Sequence, residues 1–176
     1  MRRQQFLSAA LAAIGLASVL VHAPASAQAY PSRAVKIVVP FAVGGPADVY
    51  ARFIAQRLSD SLGQSFVVDN KPGAGGNIGG AEVARAAPDG YTIFMTTSGI
   101  QAINPALYAK MPFDPNKDLI PVSALVSLNN VLVLHPSVKA NSVSEVIALA
   151  KSQPGAINYA SSGSGTSIHM SGEMFK

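Results

Sequence analysis

From Val35 onward, short apolar runs alternate with Gly-rich turns and with stretches of helical periodicity. This order is expected of β-α-β units on a mainly parallel sheet. Val35 to Pro40 reads as a first strand, and the turn Phe41-Ala-Val-Gly-Gly-Pro46 opens a helix over Ala47 to Leu62. Val49, Phe53, Ile54, Leu58 and Leu62 form its apolar stripe, and Gly63 stops it. Ser65 to Asp69 reads as a second strand, followed by Asn70-Lys-Pro-Gly-Ala-Gly-Gly76 and a helix over Asn77 to Ala87 whose apolar face is Ile78, Ala81 and Val83. After the turn Pro88-Asp-Gly90, Tyr91 to Met95 is a third strand that ends in Thr96-Thr-Ser-Gly99. A short helix is expected over Ile103 to Tyr108, with Pro105 in its first turn.

Pro112 to Asp118 reads as a loop. Two further extended runs, Pro121 to Leu128 and Val131 to His135, are separated by Asn129-Asn130. Ser142 and Ser144 introduce a helix over Ser144 to Ser152, with Glu145 suited to its positive end and Pro154-Gly155 ending it. Ile157 to Ala160 reads as a strand, and Ser161-Ser-Gly-Ser-Gly-Thr166 turns into a helix that runs to Lys176. Ile168, Met170, Met174 and Phe175 begin an apolar face there with no later element to cover it, so the chain is expected to be the N-terminal part of a longer protein.

The N-terminal pattern is of another kind. Arg2-Arg3, the apolar run Phe6 to Val21, and Ala25-Ser-Ala27 read as a cleavable export signal. The processed chain would begin at Gln28. The Arg pair is compatible with twin-arginine export, although Phe6 sits one place late for that pattern, which favours general secretion. Formal charge changes with this reading. The whole chain carries +4, but Arg2 and Arg3 are two of its 13 basic residues, so the processed chain carries about +2. The remaining Lys and Arg are scattered, which argues against a nucleic-acid surface. With no Cys among 176 residues, a disulfide scaffold and a Cys-based zinc site are excluded. With 49% hydrophobic and 12% charged residues, so is a disordered polymer.

Three strand ends, leading to Phe41, Thr96 and Ser161, run into small or hydroxyl residues and then into helix starts. In open α/β sheets, free helix N–H groups at the carboxyl ends of strands favour a carboxylate or phosphate. Gly44, Gly45, Gly163 and Gly165 allow close backbone approach, while Thr96, Thr97, Ser98, Ser161, Ser162, Ser164 and Thr166 offer hydroxyls. Any one of these loops is also what an ordinary βα turn looks like. Gly163-Ser-Gly165 and Gly73-Ala-Gly75 each have Ile where a dinucleotide fingerprint needs its third Gly. No phosphate-binding P-loop and no Gly-x-Ser-x-Gly nucleophile elbow exists. His169 and Glu173 share a helix face but make an incomplete metal set. His169 is suited to bonding the preceding loop in place, and His135, before Pro136, to a structural role. Asp48 complements the dipole of its helix or receives an ammonium or hydroxyl group of a ligand, and Asn77 caps its helix or reaches the cleft.

Several motifs in order carry a resemblance: Tyr30-Pro-Ser-Arg33, Val38-Val-Pro-Phe-Ala-Val-Gly-Gly45 with Asp48, Asn70-Lys-Pro-Gly-Ala-Gly-Gly-Asn-Ile-Gly79, Ala87-Pro-Asp-Gly-Tyr91, Ile103-Asn-Pro-Ala-Leu-Tyr108, and Asn158-Tyr-Ala-Ser161 with Gly165 and His169. Over residues 30 to 176 the chain resembles the Bug family, the periplasmic solute receptors of tripartite tricarboxylate transporters. The resemblance implies a type II-like periplasmic-binding-protein fold, a Venus flytrap with a first α/β lobe over residues 28–125. The hinge and the beginning of a second lobe would occupy residues 126–176. It implies a monomeric receptor, without catalysis or cofactor, that holds a di- or tricarboxylate, an amino acid or an aromatic acid by loop amides, hydroxyls and water. Its partners would be the membrane subunits of the transporter or a sensor kinase. Carried over by position, Phe41, Gly44, Gly45, Pro46, Ala47 and Asp48 match the first ligand loop, Thr97 and Ser98 the second, and Ser162, Gly163, Ser164, Gly165, Thr166, Ser167 and His169 the third. The family loop usually reads Pro-Gly-Gly-x-Thr-Asp, so Val43 and Ala47 are departures that remove one side-chain contact. The rival readings are a periplasmic hydrolase or isomerase, which requires a positioned base and nucleophile, and a truncated relic without function.

Overall fold

The computed structural model describes residues 29–176, so the expected export signal over 1–27 lies outside the described residues. Val35–Val39 forms β1, Pro46–Leu62 α1, Phe66–Asn70 β2, Asn77–Ala84 α2 and Thr92–Phe94 β3. A wide helical turn at Gly99–Ile103 leads into α3 (Asn104–Leu107), and α4 (Val143–Ser152) and α5 (Ser167–Phe175) follow. The strands form one parallel sheet in the order β2-β1-β3. Val35 pairs with Phe66 and Val39 with Asn70 on one edge of β1, while Lys36 pairs with Thr92 and Val38 with Phe94 on the other.

Alternation along β1 places its residues on two faces. Val35, Ile37 and Val39 pack with Ala51 and Ala55 of α1 and with Phe66. On the opposite face, Ala81 of α2, Ile100 and Phe113 form a second cluster, joined by Phe94 and Leu119. A central strand covered on both sides accounts for a run as apolar as Val-Lys-Ile-Val-Val. Burial of each large side chain there is worth about 1.5–3 kcal/mol. The Lys36–Glu82 ion pair beside them, at 2.7 Å and partly exposed, is worth at most about 1 kcal/mol.

Two helix faces differ from expectation. In α1 the buried positions are Asp48, Ala51 and Ala55, while Val49 and Phe53 of the expected stripe are exposed, Phe53 at 56%. The reason is distance: alanines let the helix axis approach the sheet closely, and that contact buries more than a face of larger residues held farther away. In α2 the buried positions are Asn77, Gly79, Gly80 and Ala81, and Ile78 is left exposed. Gly79 lies against Pro40, and the ring of Phe113 covers Gly80. α2 ends at Ala84, three residues before the expected end.

The expected strands at 121–128, 131–135 and 157–160 are not strands. These residues are irregular and lack ladder partners among the described residues, and an apolar run without a neighbouring strand has nothing to satisfy its backbone N–H and C=O groups. α4 is well started nonetheless: the Ser142 hydroxyl accepts from Glu145 N at 3.2 Å, and Glu145 Oε2 accepts from Asn141 N at 2.7 Å. That is one half of a capping box, with the Glu145 carboxylate reaching one residue past the N-cap to Asn141 N. It buries only Val146, and α5 buries no residue.

Candidate functional site

Parallel strands all point their carboxyl ends the same way, so the loops after β1, β2 and β3 lie at one end of the sheet. The first of them, Phe41 to Ala47, is organised by Asp48, which is buried. Its carboxylate accepts from Gly44 N at 2.9 Å, from Arg52 Nε at 3.0 Å and from Asn70 Nδ2 at 3.0 Å, and Arg52 Nη2 lies 3.0 Å away. Asn70 Nδ2 also donates to Phe41 O at 3.0 Å. The Arg52 fork, followed by the Gly44 amide, holds the Asp48 carboxyl at about 2, below its ordinary 3.8, despite burial acting the other way. Asp48 therefore spends its lone pairs on shaping this loop. It leaves Val43, Gly44 and Pro46 exposed, with Gly45 at the N-cap of α1 and Pro46 in its first turn. Phe41 and Ala47 are half-buried and pack against the β1 cluster.

The second loop follows β3. Thr97 O accepts from Ile100 N at 3.1 Å and from Gln101 N at 3.2 Å, which turns the chain into its wide helical turn at Ser98. Ser98 is exposed. The hydroxyl of Thr96 is buried and lacks a hydrogen-bond partner. An orphaned hydroxyl at a strand end is a ready contact for a polar ligand or an ordered water.

In the third loop, Thr166 caps α5: its hydroxyl accepts from His169 N at 3.2 Å and donates to Gly163 O at 2.8 Å. His169 Nδ1 accepts from Gly165 N at 3.4 Å, so this side chain ties its own loop. Its Nε2 lies 3.8 Å from Glu173, which also accepts from the Tyr159 hydroxyl and from Lys176. Ser167 donates to Asn130 Oδ1 at 3.4 Å. Ser162 and Ser164 are exposed, and Gly163 is half-buried.

The second and third loops meet where Gly99 lies against the backbone of Gly165 and Thr166. Loop 163–166 sits on the Gly-rich segment 73–77 and on α3: Tyr108 Oη donates to Ser164 O at 3.2 Å, and a Cβ on Gly75 would collide with that same carbonyl. Loop 41–48 is tied to Asn70 of β2 and shares no hydrogen bond with loop 161–169 among the described residues. An open cavity of about 610 Å³ runs along α2 between Ala74, Asn77, Arg85 and Tyr108, and none of the expected ligand-loop residues lines it. Among the described residues no group of three His, Asp or Glu side chains is placed to hold a metal. Asn70, Gly75, Asn104 and Tyr108 were missing from the expected site. Their sequence signal is membership of the motifs Asn70 to Gly79 and Ile103 to Tyr108 that carry the family resemblance, without a role for any one of them.

Residues 50–176 match the family described as Tripartite tricarboxylate transporter family receptor. The chain belongs to that family. It is 40% identical to Protein BugT of Bordetella pertussis over 94% of its own length and 52% of that protein. The solved structure of R. palustris Rpa4515 with adipate is 42% identical, with a TM-score of 0.81 over 83% of this chain and 49% of that one. The periplasmic binding protein BugD is 36% identical, with a TM-score of 0.71 over 82% of this chain and 48% of that one. The chain thus has the α/β fold of periplasmic binding proteins and spans about half the length of the relatives it matches.

Proposed function

We propose that the chain contributes to an extracytoplasmic receptor that captures a small carboxylate for a tripartite tricarboxylate-type transporter, without catalysing a reaction. The observation that carries the reading is the gathering of the ends of β1, β2 and β3 at one edge of the sheet, with the N-terminus of α1 opening there, exposed loop backbone at Gly44 and an unpartnered buried Thr96 hydroxyl. Free N–H groups at a helix start favour a carboxylate without an Arg clamp. Arg52 is consumed by Asp48, which fits a site that binds through amides and hydroxyls. The adipate bound to Rpa4515 supports a dicarboxylate as the first ligand to try. In this reading Phe41, Gly44–Ala47, Thr97, Ser98 and Ser162–Ser167 present the contacts, and Asp48 and His169 hold two of the loops in shape. The boundary between two lobes falls near residue 125, the signal is removed after Ala27, and the receptor hands its ligand, as a monomer, to membrane subunits or to a sensor kinase.

Isothermal titration of the chain with dicarboxylates, tricarboxylates, amino acids and aromatic acids tests the reading, alongside incubation with the corresponding esters. Saturable heat for one acid class without turnover is the expected result. Turnover of an ester or acid would replace the receptor with an enzyme.

A further inference from the structure

We propose that Asn104, which opens α3, and Tyr108, the residue just past its end, are positioning residues that dock loop 163–166 onto segment 73–77 and so set how that loop is presented. A part for this loop in holding a ligand rests on the receptor reading; its docking does not.

Asn104 has no exposed surface. Its Nδ2 donates to Gly75 O at 3.1 Å and to Asn77 Oδ1 at 2.8 Å, and Asn77 is itself buried at the start of α2. One amide thus fixes the Gly-rich segment to α3. The other end of that amide, Oδ1, is buried without any hydrogen-bond donor. Native structures rarely leave a buried carbonyl so placed. What lies against it is Gly165, at φ +86°, where a Cβ would overlap Oδ1. Only a glycine Cα fits there, and its C–H faces the orphaned oxygen as a weak donor.

Tyr108 completes the seat. Its backbone N–H closes the last turn of α3 on Asn104 O at 2.9 Å, and its hydroxyl donates to Ser164 O, the carbonyl just before Gly165. Gly75, whose own carbonyl Asn104 holds, leaves room for that same Ser164 carbonyl. Three chain segments far apart in sequence are therefore registered by two side chains. The seat is built mainly of backbone: besides the Tyr108 hydrogen bond at 3.2 Å, Gly165 and Thr166 are buried against Gly99, Asn104 and Leu107.

The test is amide hydrogen exchange on the full chain, comparing Gly163 to Met170 with Val35 to Val39, for Asn104→Ala, Gly165→Ala, the double variant and Tyr108→Phe. Each single variant is expected to speed exchange at 163–170 on the order of tenfold while β1 exchange and the melting midpoint stay near those of the parent. The double variant is expected to lose less than the sum of the two single variants, since truncation removes the oxygen that the new Cβ would strike while the strain of alanine at φ +86° remains. Strictly additive effects, or faster exchange in β1 together with the loop, would make Asn104 a core amide and overturn the proposal. If Asn104→Ala fails to fold, Tyr108→Phe still decides, because parent-like exchange at 163–166 in that variant contradicts docking. Adipate titration of the same samples is a separate readout: absence of binding by the parent would count against the receptor reading and leave the exchange result standing.

Discussion

Val35-Lys-Ile-Val-Val39 and Val131-Leu-Val-Leu-His135 are apolar runs of equal length, and they have opposite fates. In the first, Val35, Val38 and Val39 have no exposed surface and Ile37 is 3% exposed; in the second, Val131 is 78% and Val133 79% exposed. Their composition does not separate them. The first run has β2 and β3 on its two edges and α1 and α2 on its two faces, whereas the second has no ladder partner among the described residues. Hydrophobicity marks a segment as able to be a strand, and neighbours decide whether it becomes one.

The sharpest way to break this contrast is truncation at matched positions. Ile37→Ala is expected to cost about 2–5 kcal/mol in urea unfolding, whereas Val133→Ala stays within about 0.5 kcal/mol of the parent. Equal losses would mean that 131–135 is packed in solution. Gly80→Ala comes next: a Cβ there would run into the Phe113 ring, and overpacking of this kind costs about 1–3 kcal/mol, read as a lowered melting midpoint. Parent-like stability would show that the Phe113 side of the sheet is loose. In the other region, Ser142→Ala removes the cap of α4 and is expected to cost about 1 kcal/mol of helix stability. With only Val146 buried, that loss should stay local, as faster exchange of the first-turn amides of α4 without a change in β1.

The smallest effect on the whole fold is that of acid on Asp48. Its carboxyl is held at about 2 against an ordinary 3.8, so its contribution is complete above pH 3.8 and is lost as pH falls through about 2. The Gly44 amide resonance should therefore move in a titration centred near pH 2 in the parent and stay still in Asp48→Asn. Movement centred near 3.8 would mean that the Arg52 fork is not formed in solution.

The three βα units, the parallel sheet and the loops at its carboxyl edge were legible in the sequence, because apolar runs, Gly-rich turns and helical spacing coincide from Val35 to Tyr91. The buried face of α1 was not. Ala51 and Ala55 read as weakly apolar beside Val49 and Phe53, and only the close approach of the helix to the sheet makes them the contact. Gly79 and Gly80 hid the face of α2 in the same way. Asp48 was legible as a first-turn carboxylate, but its partner Asn70 lies on another strand, which no local pattern reveals. Asn104 was legible only as part of the Ile103 to Tyr108 motif, because its role depends on Gly75, Asn77 and Gly165, brought together only by the fold.

The central claim is that the strand-end loops hold a carboxylate, and the direct measurement is an amide-resolved NMR titration of the chain with adipate. The account predicts saturable shifts confined to Gly44–Asp48, Thr97–Gly99 and Ser162–Ser167, with β2 and α4 unmoved. Shifts centred instead on Arg85 and Lys110 along the α2 cavity, or none for any carboxylate at saturating concentration, would contradict it.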